Sequence, residues 1–580
     1  MLFDTLKNLC GKAFRSATSR STCRRPARSS RSRLGVEALE TRLALSSFAV
    51  HGATLYAYGN PGDNNFTFTA GNTPQVTLNN RTYAVNPKRI TSIVYEGGGG
   101  SNDTANLYDT VGAEPELDVS PNSATMTGDN YTLTVENVAN IIAYGNANAT
   151  ANLTGSADGA NTFVGTAAVS YETGPDYGIV AVYGFGYVNA SAGTSQDTVY
   201  LYGSASQTNQ FDFYGPNADM ISASGANYQI QVGGFSTIFA YAGSSADYAF
   251  FNGPTWEANT FTGFSDTAIM SGADYGDSAF GFSQVRATAG TTSDVANLYA
   301  AGDTANAFNA SPFSATLSGQ YYSNEVDGFT HVYAYSANAQ DTAFLDDGGA
   351  KSTFTANSSQ GIMTNADYYV EADNFASVYG NAEAGSGSIA YFIGSPNSTN
   401  YFTGGPFYSS MTDQQTYYNE ADGFVAVHAY AGTGNDYATL SGTTYDNATF
   451  IGTPTDSYMY SSSYMNDAVN FRYVTASGTA NERAYLYAST SDSNTFVAYK
   501  NQYANLNGNS GSYYLNTSGF GDVFAYGGGK NGYGTAQDQA ILYYSYGDRP
   551  VQYSTYSYVY NTGFLDEAIG FPKVHMYQIS

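Results

Sequence analysis

Carboxylates recur along this 580-residue chain at a nearly regular interval. Asp heads seven repeating units, at Asp103, Asp197, Asp247, Asp294, Asp341, Asp436 and Asp538. A second set holds Glu325, Glu371, Glu420, Asp467 and Glu567, and three consecutive units read Glu-x-Asp-(Gly/Asn)-Phe, at Glu325/Asp327, Glu371/Asp373 and Glu420/Asp422. Acids spaced among turn residues suit one chemistry, the holding of Ca²⁺ by carboxylates and turn carbonyls. Asp436, Asp341 and the three Glu/Asp pairs are its candidate ligands. They equally suit a structural duty, acceptance of backbone N–H groups at chain corners. The Asp positions are turn positions, so the structural duty is the expectation, with no metal-binding residue assigned.

Other catalytic patterns are thin. Carboxylate neighbours such as Asp346/Asp347 have the chemistry for glycoside hydrolysis. Yet the acids follow the repeat, whereas a catalytic centre interrupts one, and no unit departs from the pattern in a way that chemistry would require. His51, His331, His428 and His575 are too few and scattered for a His-based triad or zinc site. Gly-x-Ser-x-Gly, Cys-x-x-Cys and phosphate-binding Gly-Lys-Ser/Thr motifs are absent from the sequence. The expectation is a non-enzyme without catalytic or cofactor-binding residues. Tyr follows the Leu-type anchor at Tyr56, Tyr108, Tyr202, Tyr299, Tyr487 and Tyr543, and closes Ala-Tyr pairs at Tyr144, Tyr241, Tyr335, Tyr430 and Tyr526. Alternation points these rings outward, where they stitch strands together or offer an adhesive or sugar-stacking surface.

The elements that position these residues are written in the apolar columns. Phe recurs at Phe185, Phe235, Phe282, Phe329, Phe375, Phe424, Phe471, Phe520 and Phe571, followed three residues later by Val or Ile. Most are preceded by an aromatic such as Tyr275, Tyr322 or Tyr417. A tandem array of units of about 47 residues follows. Within one, Ala296/Leu298, Ala315/Leu317 and Val332/Ala334 alternate with polar residues, the period of a strand with one buried face. Leu345, Tyr368 and Phe392 form an interleaved ladder with about 23 residues per step. The expected fold is an all-β repeat solenoid, a parallel β-helix with two coils of about 23 residues per repeat and a length of about 100 Å. The alternative is an array of β-propeller-like blades.

Charge separates two segments. Residues 1–45 carry ten Lys and Arg against three acids, leaving 11 basic and 45 acidic residues in the remainder. An acidic body of this size repels nucleic acid and anionic lipid. Both cysteines, Cys10 and Cys23, lie in the basic head, so the body forms no internal disulfide. No apolar run is long enough for a transmembrane helix. Residues 1–47 read as a basic export or targeting segment, and 48–580 as the tandem solenoid.

The run Val36-Glu37-Ala38-Leu39-Glu40, continued by Arg42, Leu45 and Ser46, resembles the N-terminal export motif of planctomycete extracellular proteins. That motif commonly has Pro where Ala38 stands. Similar repeats recur in proteins exported by the same bacteria. The resemblance implies export to the cell surface or beyond. Gly432-Thr-Gly434-Asn-Asp436 resembles part of the glycine-rich nonapeptide of calcium-binding exoproteins, a tandem motif that occurs once here. The functional expectation is an exported structural or adhesive surface protein, partnered by surface polysaccharide or by itself. The alternatives are a carbohydrate-binding or polysaccharide-cleaving β-helix and a calcium-stabilised exoprotein.

Overall fold

A computed structural model describes residues 45–110, 114–223, 228–500, 502–528 and 535–579. The chain divides into Met1–Ala44 and Leu45–Ser580. The basic segment and most of the export-like run lie outside the described residues.

Every regular element among the described residues is a β-strand, most of them five residues long. Their sequences explain this. Val295–Tyr299 buries Ala296 and Leu298 and turns Val295, Asn297 and Tyr299 outward. One small and one large apolar residue on the inner side recur from strand to strand and set the thickness of the core.

The chain winds between two sheets, here called I and II, into a parallel β-solenoid. One stretch shows the path. Val295–Tyr299 lies in sheet II. The chain crosses to sheet I for a three-stranded antiparallel meander, Ala307–Ser311, Ser314–Ser318 and Ser323–Asp327. It returns to sheet II at His331–Tyr335, parallel to Val295–Tyr299. The next repeat repeats these steps with the sheets exchanged. Thr342–Asp346 joins sheet I, the meander Thr353–Ala356, Gln360–Thr364 and Tyr369–Asp373 builds sheet II, and Ser377–Asn381 returns to sheet I.

The expected β-solenoid is therefore present, and its internal path is more folded than two plain coils. Parallel neighbours are Thr342 with Ser377 and Ser377 with Tyr418, longer sequence steps than the 23-residue ladder. The meander supplies the extra residues. Each sheet contains 28 strands, giving a length of about 130 Å at about 4.8 Å per strand. Neither sheet closes on itself. Arg81–Ala84 and Arg549–Gln552, at the two ends of sheet II, each pair with one strand among those described. This continuous stacking excludes blades arranged around a ring.

The nine phenylalanines are all buried. Because successive repeats exchange sheets, they alternate between the two sides of the core. Each from Phe282 on packs on a partner from an earlier meander strand, Phe308 on Phe375 at 6.0 Å and Phe354 on Phe424 at 5.9 Å. The residue before each phenylalanine makes the corner. Gly328 and Gly423 have φ of 75° and 77°, and Asn374 has 60°. The left-handed conformation explains why only Gly or Asn stands between Asp and Phe in the recurrent motif.

Candidate functional site

The recurrent aspartates converge with two other columns inside the solenoid. Asp294 is fully buried. Its Oδ2 accepts the N–H groups of Gly290 at 2.7 Å and Thr291 at 3.2 Å. Its Oδ1 accepts the Thr291 hydroxyl at 2.6 Å and the Asn259 N–H at 2.8 Å. The Asn259 amide also donates to both carboxylate oxygens and to the carbonyls of Pro254 and Glu257. Tyr275 completes the bracket by donating its hydroxyl to Asn259 Oδ1 at 2.7 Å.

The Tyr–Asn–Asp bracket recurs as Tyr177–Asn161–Asp197, Tyr322–Asn306–Asp341, Tyr417–Asn400–Asp436 and Tyr513–Asn494–Asp538. Tyr228–Asn209–Asp247 is a further copy, and Asp103 receives Asn64 in the same way. The connecting Asn is the residue that reading the sequence missed. Its signal is present, since Asn209, Asn259, Asn306, Asn400 and Asn494 follow the same repeat as the aspartates.

Electrostatics follow from this geometry. Burial alone would raise the carboxyls of Asp197 and Asp294. Hydrogen bonds from Asn and Thr outweigh it and hold both below the ordinary carboxylate range. Donors already surround the Asp436 and Asp341 oxygens, so a cation there would have to displace N–H groups. Among the described residues no group of three or more His, Cys, Asp or Glu is arranged to hold a metal ion.

Two repeats rebuild the bracket with other residues. Ser388 replaces the aspartate and Ser352 the asparagine. The missing charge comes from Asp347, whose Oδ2 accepts the Ser388 hydroxyl at 2.8 Å. In the other, Glu482 accepts from Thr479, Thr443 and Ala448, its longer side chain covering for the absent Asn amide. The Asp346/Asp347 pair is thereby separated. Asp347 is buried in this bracket, while Asp346 faces outward and accepts the Gly348 N–H at 2.7 Å. They do not face a common substrate.

The Glu-x-Asp pairs are distributed over both sheets by the sheet exchange and form no continuous ladder. In sheet I, Asp327 and Glu325 flank Arg286 at 2.7 and 3.8 Å. In sheet II, Glu371 accepts from Gln360 and Tyr369. Glu420, back in sheet I, accepts from Tyr418. His428 lies on sheet II with Nδ1 3.0 Å from Asp467, and His331 stacks on Tyr369.

A buried acid interrupts one of the core columns. The middle strand of each meander places Leu78, Met126, Met220, Met270, Leu317, Met363, Met411, Met459, Leu506 or Val559 in the core, and Glu172 occupies that place in its own repeat. It is 2 % exposed, and its Oε1 has no hydrogen-bond partner. Burial, then the nearby Asp197 charge, pushes it up to about 8, against a lowering hydrogen bond from Tyr177. Asp277 is a second sealed acid. Both its oxygens lack partners, and desolvation raises it well above the usual range. In the equivalent place Asn324, Asn419 and Asn466 donate to the carbonyls of Phe264, Asn357 and Gly405. Neither acid reaches solvent, so neither serves a dissolved substrate.

The outward tyrosines form stacks. In sheet II, Tyr108, Tyr144 and Tyr183 lie face to face at 4.5 and 5.0 Å, as do Tyr202, Tyr241 and Phe280 at 4.9 and 5.0 Å. Phe264, Tyr299 and Tyr335 continue the series at 4.8 and 4.7 Å. Within each stack the middle ring, Tyr144, Tyr241 or Tyr299, is covered on both faces and turns its edge outward. The surface clefts are open, about 310 Å³ beside Phe313 and Tyr368 and about 330 Å³ beside Tyr558 and Phe564. Each is lined by a single acid, Asp367 or Glu567. Compared with family models, curated proteins and solved structures, the chain matches none.

Proposed function

We propose that this protein is an exported structural or adhesive surface protein, a non-catalytic rod that works by the surfaces it presents. The observation that carries this reading is the Tyr–Asn–Asp bracket. It engages the recurrent acids in holding successive turns together, and leaves stacked tyrosines and dispersed surface acids as the outer features. The resemblance of the segment ending at Ser46 to an export motif supports a surface or extracellular location. Between Thr104 and Tyr335 the outward acids lie on sheet I and the tyrosine stacks on sheet II, so this part of the rod offers two kinds of face.

The full chain incubated with a panel of acidic and neutral polysaccharides should release no reducing sugar, and turnover of any of them would overturn the structural reading. Calcium stabilisation is the competing role for Asp436 and Asp341. A melting transition unmoved by chelator is expected, because the bracket is complete without a cation.

A further inference from the structure

The outer faces of the two sheets differ in a way that the repeat does not demand. From Thr104 to Tyr335, sheet II contains twelve consecutive strands. No Asp, Glu, Lys or Arg points outward from any of them. The two acids within these strands, Glu172 and Asp277, are buried inside. Over the same part of the chain, sheet I turns out Glu116, Asp118, Glu136, Arg286, Glu325 and Asp327.

The contrast holds at one register position. Tyr202 and Tyr241 pair with each other in sheet II, where sheet I pairs Thr154 with Ser191 and Asn252 with Thr288. The cores beneath are alike, so the solenoid forms with Thr, Ser or Asn there. Aromatics needed only to stitch strands would be equally useful on sheet I, and in this stretch they are concentrated on sheet II. The remaining reason for a bare aromatic face is something that covers it.

We infer that this uncharged face of sheet II is a self-association surface, on which a second copy of the chain packs the same face. The inference rests on the structural reading of function and adds the partner and the surface. Charge selects a second copy's sheet II over its sheet I. A body with 45 acidic and 11 basic residues repels itself, and the uncharged face is where two copies meet without acid opposing acid. Size agrees. Twelve strands of five residues cover about 50 Å by about 16 Å, or about 800 Å², the area each partner gives to a standard interface. Sugar is disfavoured as the occupant because stacking covers both faces of Tyr144, Tyr241 and Tyr299 and leaves an open face only at the end rings of each stack.

Sedimentation velocity of the full chain over a range of concentrations tests this. The expected result is a concentration-dependent dimer that tightens as added salt screens the acidic bodies. Tyr202→Lys with Tyr241→Lys should weaken it at least tenfold. Ser191→Lys with Thr288→Lys, at the same register on sheet I, should leave it unchanged. If the lysine pair on sheet II fails to fold, Tyr202→Thr with Tyr241→Ser, residue types that sheet I already uses there, should still weaken the dimer measurably. A wild-type chain monomeric at every concentration and salt would overturn the inference. So would equal effects of the two lysine pairs, or a monomer that binds neutral polysaccharide or neutral vesicles through this face. Monomeric behaviour leaves the structural reading standing, whereas polysaccharide turnover removes that reading.

Discussion

Sheets I and II share one interior and carry different exteriors. Inside, both pair a small with a larger apolar residue on strands such as Thr342–Asp346 and Val295–Tyr299, place a buried phenylalanine after the left-handed Gly or Asn of most repeats, and use the same bracket, with Asp341 heading a strand of sheet I and Asp294 one of sheet II. Outside, sheet II from Thr104 to Tyr335 is aromatic and uncharged, while sheet I is polar and acidic. Further along, the difference relaxes. Sheet II acquires Glu371, Asp373, Asp467 and Asp522, and sheet I gains the stack Tyr401, Tyr437, Tyr473 and Tyr514, flanked by Arg472 at 5.2 Å from the Tyr473 ring. The lesson is that the interior is set by the single repeat, and the N-terminal surface by pairs of repeats. Tyr108, Tyr202 and Tyr299 stand two repeats apart because alternate repeats present this position on the same sheet.

Breaking the shared interior should produce the largest effect, equal on both sheets. Asp294→Ala and Asp341→Ala each strand several buried donors, and each should cost about 3–5 kcal/mol in chemical denaturation. A marked inequality would show that the two interiors are not equivalent.

The sealed acids come next, and both belong to sheet II. Glu172 has a folded-state pKa of about 8, above the unfolded value of about 4.3. Its neutral form is favoured by folding, so stability falls as pH rises from about 4 to about 8 and then levels off. Glu172→Met, the choice of most other repeats, should remove that slope and raise stability at pH 8 by a few kcal/mol. Asp277→Asn should act in the same direction by about 1–2 kcal/mol, because the amide can donate where Asn324 does. The brackets have the opposite sign. Asp197, Asp294 and Asp347 are held below the ordinary range, so their contribution is present above about pH 4 and lost below it. Thermal melts across pH should therefore show an optimum near pH 5, shifting upward in Glu172→Met.

Smaller effects sharpen the exterior contrast. A double-mutant cycle on Tyr202 and Tyr241 should give a coupling of about 0.5–1 kcal/mol, with none between Thr154 and Ser191 at the matching place on sheet I. Smallest is Arg286→Ala, which removes an exposed pair with Asp327 and should change stability by less than about 1 kcal/mol.

What the sequence determined by itself is the material of the repeat. Ala296/Leu298 and the Phe329 column announce strands with one buried face, and the aspartates stand in turns. That reading needs only local alternation and a period, and both are covalent properties of the chain. The three members of the bracket lie far apart along it, Asn259 being 35 residues from Asp294, and what joins them is the turn of the solenoid. The 23-residue ladder misjudged the path, because alternation marks a strand without its direction, and the reversed strand Ser314–Ser318 alternates like its neighbours. Glu172 remained hidden for a related reason. Its departure is visible only when Met126, Met220 and Met270 are seen as one core column. The partition of aromatic and acidic faces likewise belongs to the tertiary structure. It arises because successive repeats exchange sheets, and that exchange is decided by how backbone groups pair between turns.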